Sequence, residues 1–202
     1  MEPTAIGNLL KQATSSRPRT SITLRTTPTS CHSSAVGVPD RYAKWRLSDY
    51  DPRLVARIVQ WAEGDLWSLF MTGAAGTRKS SFAAAICAAA GTAYFATPET
   101  SIRKIRAFCD WWIEQAKTCP LVVFDDMASY RATPHVHDTL LAVLATRYDN
   151  FRKTIVTSNV SLAEIGRWLD PRLADRLREG LVLESGRESR RVTGNEEPTN
   201  AR

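Results

Sequence analysis

Between residues 66 and 90 the chain runs from an apolar stretch (66–71) through a loop of small residues, Gly73-Ala74-Ala75-Gly76-Thr77-Arg78-Lys79-Ser80, into an alanine-rich helical segment (80–90). Few architectures accept that order. A short buried strand, a tight loop and a helix small enough to lie close on a sheet are the entry into a parallel sheet covered on both faces. The chemistry of the loop points the same way. Small residues let backbone N–H groups cradle phosphate oxygens at the positive end of a helix. Lys79 then reaches the β- and γ-phosphates of a nucleoside triphosphate, and Ser80 offers its hydroxyl to Mg²⁺. Gly73, Ala74, Ala75, Gly76, Thr77, Arg78, Lys79, Ser80 and Ser81 are therefore the candidate nucleotide-binding residues, with ATP and Mg²⁺ the expected ligands. Such loops ordinarily carry glycine immediately before the lysine. Here Arg78 stands there, and its Cβ must point away from the phosphates.

The remaining sequence keeps the alternation. Asp51-Pro52 supplies a cap and a first helical residue ahead of Leu54, Val55, Ile58, Val59 and Trp61 at helical spacing. Residues 92–96 read as a second strand. Residues 101–115 read as one helix with Ile102, Ile105, Phe108, Cys109, Trp112 and Ile113 inward. An apolar run at 121–124 ends in Asp125-Asp126, residues 134–148 are helical, and 154–157 form another strand. Short helices at 162–168 and 172–178 precede a last strand at 181–183. The expected fold is α/β: a mostly parallel five-stranded sheet with helices on both faces and no sizeable C-terminal lid.

Composition sets off the ends. Seventeen of the first forty residues are Ser, Thr or Pro, too polar a stretch to bury a core. Residues 1–40 are expected to be a disordered basic arm, 41–192 the folded domain and 193–202 a disordered tail. The arm is poor in acid, as organelle transit peptides are, but lacks their amphipathic Arg-bearing helix. Lys11, Arg17, Arg19, Arg25, Arg41, Lys44 and Arg46 face only Glu2 and Asp40, so five of the six excess positive charges precede residue 47. Such an arm can meet phosphate backbones without sequence preference. Cys31, Cys87, Cys109 and Cys119 form no CxxC pair and read as free thiols in a reducing compartment. No apolar run reaches the length of a membrane span, and the expected location is cytoplasmic. His135 and His137 fall on different helix faces, which argues against a metal site.

Three further segments carry chemistry. The run Leu121-Val122-Val123-Phe124 delivers Asp125 and Asp126 to the C-terminal edge of a sheet, where ligands of open α/β sheets bind. There Asp125 would orient Mg²⁺ through water, and Asp126 would polarise the attacking water, a task many ATPases give to a longer Glu. Asn159 closes Thr154-Ile155-Val156-Thr157-Ser158-Asn159, placed to hold that water or the γ-phosphate. It could instead cap the next helix, as could Ser158 or Ser161. Arg172 and Arg176 share one face of the helix in Asp170-Pro171-Arg172-Leu173-Ala174-Asp175-Arg176-Leu177, suited to an arginine finger or to a salt-bridged surface. Trp61, Trp67, Trp111 and Trp112 are expected to pack in core or interface rather than stack on bases.

Taken in order, these segments, with Arg178-Glu179-Gly180 and a closing Arg187-Glu188-Ser189-Arg190, resemble the AAA+ helicase loaders of the DnaC/DnaI type and their transposition relative IstB over about residues 41–192. The resemblance implies an AAA+ P-loop NTPase core. It would make Lys79 and Ser80 the phosphate and Mg²⁺ residues, Asp125 and Asp126 the acidic pair, Asn159 the sensor asparagine and Arg176 the arginine finger. Arg190 takes the place of a C-terminal SYR-like arginine, from which Glu188-Ser189-Arg190 departs. The family further implies a homo-oligomer with ATP sites between subunits, assembled on single-stranded DNA, which relatives contact through a helix matching Arg103, Lys104 and Arg106. Its partner would be a replicative ring helicase in replication initiation, or a transposase in the IstB-like alternative. The family usually adds a larger N-terminal domain to grip that partner, where this chain has some forty polar residues. A third reading is a nucleotide-gated DNA-binding adaptor with little hydrolysis, motivated by Arg78 and the short Asp126.

Overall fold

The computed structural model describes residues 20–24, 36–130 and 133–185. Strands β1 (Ser68–Thr72), β2 (Ala93–Ala96), β3 (Leu121–Phe124), β4 (Lys153–Ser158) and β5 (Leu181–Glu184) form one sheet in the order β2-β3-β4-β1-β5. All pairings are parallel, with Phe70 opposite both Val156 and Val182, and Val123 opposite Phe95 and Ile155. The helices are α1 (Asp40–Ala43), α2 (Pro52–Glu63), α3 (Lys79–Ala90), α4 (Pro98–Arg106), α5 (Asp110–Thr118), α6 (Pro134–Asp149), α7 (Leu162–Trp168) and α8 (Pro171–Arg178). The five-stranded parallel α/β sheet expected from the apolar runs is the one observed.

Side chains alternate across the sheet and so divide the core in two. Phe70, Val122, Phe124 and Val156 meet Ile105, Trp112, Leu140 and Ile165 from α4 to α7. Leu69, Met71, Val123 and Ile155 meet Ile58 and Trp61 of α2 and Phe82 and Ile86 of α3. In α3 the residues from Ser81 to Cys87 are all buried, the small side chains of Ala83, Ala84 and Ala85 letting the helix lie close on the sheet. Because β3, β4 and β1 are parallel neighbours, their C-terminal ends lie together on one edge.

Three expectations are corrected. Residues 101–115 are not one helix: α4 ends at Arg106 and α5 begins at Asp110. The break is a Schellman closure, with the Phe108 N–H donating to the Ile105 carbonyl and the Cys109 N–H to that of Lys104. Phe108 takes the left-handed position at φ 48°, where glycine is usual, so it leaves the inward face and is 72% exposed. Trp111 is likewise 60% exposed, whereas Trp61, Trp67 and Trp112 are buried as expected. The polar arm also contributes to the fold where it is described. Ile22 and Leu24 are buried, with the Ile22 N–H donating to the Ala62 carbonyl, and Val36 bridges to Tyr94 of β2. Two apolar side chains and a few backbone hydrogen bonds suffice to dock a segment whose average composition is polar. The tail expected at 193–202 lies outside the described residues.

Two buried cations brace the N-terminal edge of the sheet. Arg147 is fully buried and donates to Thr154 Oγ1 and to the carbonyls of Ala116, Cys119 and Lys153. Lys153 donates from Nζ to the carbonyls of Trp61, Gly64 and Leu66 at 2.6–2.8 Å, closing the end of α2. Burial pushes the Arg147 guanidinium down to about 9 and the Lys153 ammonium down to about 8.

Candidate functional site

The loop between β1 and α3 is shaped by its glycines. Gly73 has φ 142°, and a Cβ there would strike the side chain and carbonyl of Ser185. Gly76 turns at φ 87°. Thr77 Oγ1 donates to the Ala74 carbonyl at 2.9 Å and shares a 2.8 Å hydrogen bond with Ser185 Oγ. Lys79 Nζ donates to the carbonyls of Gly73 and Ala74 at 2.7 and 2.8 Å and to Thr77 Oγ1 at 3.1 Å. The ammonium is thus held across the mouth of the loop, at the start of α3, where a phosphate oxygen would meet it together with the helix N-terminus.

Arg78 occupies the N-cap of α3 at φ 66°, ψ 21°, without a side-chain capping bond. A residue bearing a Cβ gives up roughly 1–2 kcal/mol in that left-handed conformation. Its carbonyl accepts from Ser81 Oγ at 2.9 Å and from the Phe82 N–H. Its guanidinium lies 4.8 Å from the centroid of the Trp45 ring, so the side chain leaves the loop for the facing wall.

The ends of β3 and β4 supply the acidic side. Thr157 Oγ1 donates to Asp125 Oδ1 at 2.7 Å and accepts from the Asp126 N–H at 2.8 Å. One hydroxyl therefore fixes both carboxylate residues. Asp126 turns at φ 49° and accepts from Ser129 Oγ at 2.6 Å. Asp125 is only 4% exposed. Burial raises its carboxyl above the ordinary range, the Thr157 and Ser80 hydroxyls draw it back, and the Asp126 charge raises it again.

These parts line one cavity of about 1010 Å³, bounded by Ala75–Ser81 of the loop, by Asp125, Asp126 and Asn159, and by Arg41, Tyr42 and Trp45 on the opposite wall. Asn159 is exposed at its rim. The capping role open to it is filled by Ser161, whose Oγ accepts from the Glu164 N–H while Glu164 accepts from the Ser161 N–H. Arg176 is not among the lining residues. Its guanidinium lies 4.5 Å over the Tyr148 ring, and its carbonyl accepts from Trp67 Nε1. Asp175 pairs with Arg178 instead. Arg190 lies outside the described residues.

Sequence reasoning missed Thr157 as the clamp on the acidic pair, although a threonine ending a buried strand beside two aspartates was a usable signal. It also missed the wall at 37–45, which straddles the boundary drawn at residue 40 between the arm and the folded domain. A raised carboxyl in the apo protein has a thermodynamic sign. The protonated form of Asp125 is favoured by folding, so its contribution to stability is present at low pH and lost as pH rises through its elevated value. Asp125→Asn is therefore expected to raise the melting temperature of the nucleotide-free protein at pH 7.5. The gain should vanish below the ordinary carboxylate range, as thermal melts across pH would test.

No protein-family model and no curated protein matches the chain. Among solved structures it is similar to the DnaC helicase loader (22% identity, 73% of this chain and 100% of that one, TM-score 0.63). DnaI is comparable (20% identity, 76% and 94%, TM-score 0.64). The replication initiator DnaA bound to AMPPCP and single-stranded DNA follows at 16% identity, 75% of this chain and 52% of that one, TM-score 0.63. At these identities the likeness shows the architecture alone, and the chain accordingly has the α/β fold of the DnaC helicase loader, DnaI and the replication initiator DnaA.

Proposed function

We propose that the chain binds ATP with Mg²⁺ between the loop at 73–81 and the Asp125-Asp126 pair, and hydrolyses it as a helicase-loader-type ATPase acting on single-stranded DNA. The observation that carries this reading is the convergence of Lys79, Ser80, Asp125 and Asp126 on one cavity large enough for a nucleotide. Asp125 is a buried carboxylate with the Ser80 hydroxyl beside it, and carboxylate and hydroxyl oxygens are the ligand atoms a hard cation prefers. Bound Mg²⁺ would neutralise charge on the phosphates. Lys79 holds phosphate oxygens, Asp126 orients and deprotonates a water, and Asn159 positions it.

Arg176 lies away from the cavity of its own chain, as a residue donated to a neighbouring subunit would. Arg176→Ala should keep ATP affinity and lose hydrolysis by a hundredfold or more, the scale of an arginine finger. Mixing that variant with a Lys79→Ala subunit should restore part of the turnover only if the finger acts in trans. The DNA surface we assign to Arg103, Lys104 and Arg106 of α4, beside exposed Phe108 and Trp111. A replicative helicase is the favoured partner and a transposase the alternative.

Steady-state phosphate release with and without single-stranded DNA tests the assignment. Stimulation supports the loader. Tight ATP binding with negligible turnover supports the nucleotide-gated adaptor, a reading favoured by the short Asp126 carboxylate already engaged by Ser129.

A further inference from the structure

The least expected contact of the site joins its two walls. Arg78 belongs to the phosphate loop and Trp45 to the segment 36–50, and both line the same cavity. That segment is not loosely attached. Val36 bridges β2, Trp45 lies 6.2 Å from Tyr50, and Tyr50 lies 4.4 Å from Phe82 of α3, ring centroid to ring centroid. A continuous aromatic row thus runs from the Arg78 guanidinium back to the helix that the loop opens.

A left-handed backbone at a residue with a side chain is a strained arrangement, and such strain persists where the surroundings enforce it and use it. The described contact of the Arg78 side chain is the Trp45 ring, a weak partner for an exposed cation. Phosphate oxygens accept charge-assisted, bidentate hydrogen bonds from the same group and outweigh it.

We propose that Arg78 is a nucleotide-responsive tether: a bound nucleoside triphosphate draws its guanidinium off the Trp45 ring onto phosphate oxygens, and so frees the Trp45 ring while the Val36 bridge and the Tyr50–Phe82 contact keep the rest of the segment 36–50 in place. This rests on the nucleotide-binding reading above. Arg78 reports occupancy to the N-terminal side of the chain, while Lys79 and Ser80 hold the ligand.

The test compares ATP uptake with Trp45 emission in the full chain. ATP with Mg²⁺ is titrated into wild type, Trp45→Phe, Arg78→Gly and Arg78→Gln, with binding followed independently by equilibrium dialysis. The Trp45 contribution, taken as wild type minus Trp45→Phe, should change as ATP saturates the site. Arg78→Gly and Arg78→Gln should bind ATP roughly ten-fold more weakly, the worth of one charge-assisted hydrogen bond, and at saturation show no change in Trp45 emission. No ATP uptake by wild type would overturn the site assignment itself. Uptake with unchanged Trp45 emission, or an equal change in both Arg78 variants, would overturn the tether alone.

Discussion

Lys79→Ala is expected to abolish ATP binding, lowering affinity by at least a hundredfold in a calorimetric titration at physiological salt. The size of the effect follows from where the ammonium sits. It is anchored by the Gly73 and Ala74 carbonyls and by Thr77 Oγ1, so in the wild type the charge is pre-placed over the phosphate path and needs little ordering on binding. Removing it deletes a positive charge that lines the cavity and would face the triphosphate. Melting should be affected far less, because the lysine is only partly buried. Retained ATP affinity in a folded Lys79→Ala protein would remove the loop from the binding site.

The second large effect concerns stability rather than ligand. Arg147→Ala should destabilise the protein by about 4 kcal/mol, lowering the melting temperature by on the order of 10 °C. The guanidinium is fully buried and ties the end of α5, the loop leading to β3 and the start of β4 through five acceptors. Truncation leaves those acceptors buried without donors, each at roughly 1–3 kcal/mol, and opens a cavity beside them. Arg147→Lys should recover only part of the loss, since an ammonium offers a point of donors where the guanidinium offers a planar fork. A variant melting within a degree or two of wild type would refute this account of the sheet's N-terminal edge.

How far the sequence announced these features depends on whether their causes are local. The strands were legible because parallel strands buried on both faces read as continuous apolar runs, as Leu121 to Phe124 does. The phosphate loop was legible because its small residues are demanded by its own backbone. Asp51 as a cap is equally local, accepting from the Arg53 and Leu54 N–H groups. The failures share the opposite property. Phe108 ends α4 in a conformation that its identity does not advertise, and apolar spacing alone drew the helix through it. Arg147 and Lys153 look like surface cations until the remote carbonyls that bury them are known. The destination of Arg78 depends on Trp45, a residue more than thirty positions away whose contact with the loop no local pattern announces. In the site, the chemistry of each part was readable, while the hydroxyl clamp of Thr157 and the aromatic wall required the sheet to bring distant segments together.

The single bridge at Val36 has a consequence for how the protein behaves in concentrated solution. β2 is an outer strand, and an outer strand offers free N–H and C=O groups to any other extended chain. Here the Val36 N–H donates to the Ala93 carbonyl and the Val36 carbonyl accepts from the Phe95 N–H, taking up the outward-facing pair of a four-residue strand. Gly37 follows at φ 87°, so close to the Phe95 carbonyl that a Cβ could not fit, which turns the chain away after one residue. Among the described residues the border is therefore occupied at Val36 and bent away at Gly37. Another chain pairing along that flank would first have to displace one valine and the bend at one glycine.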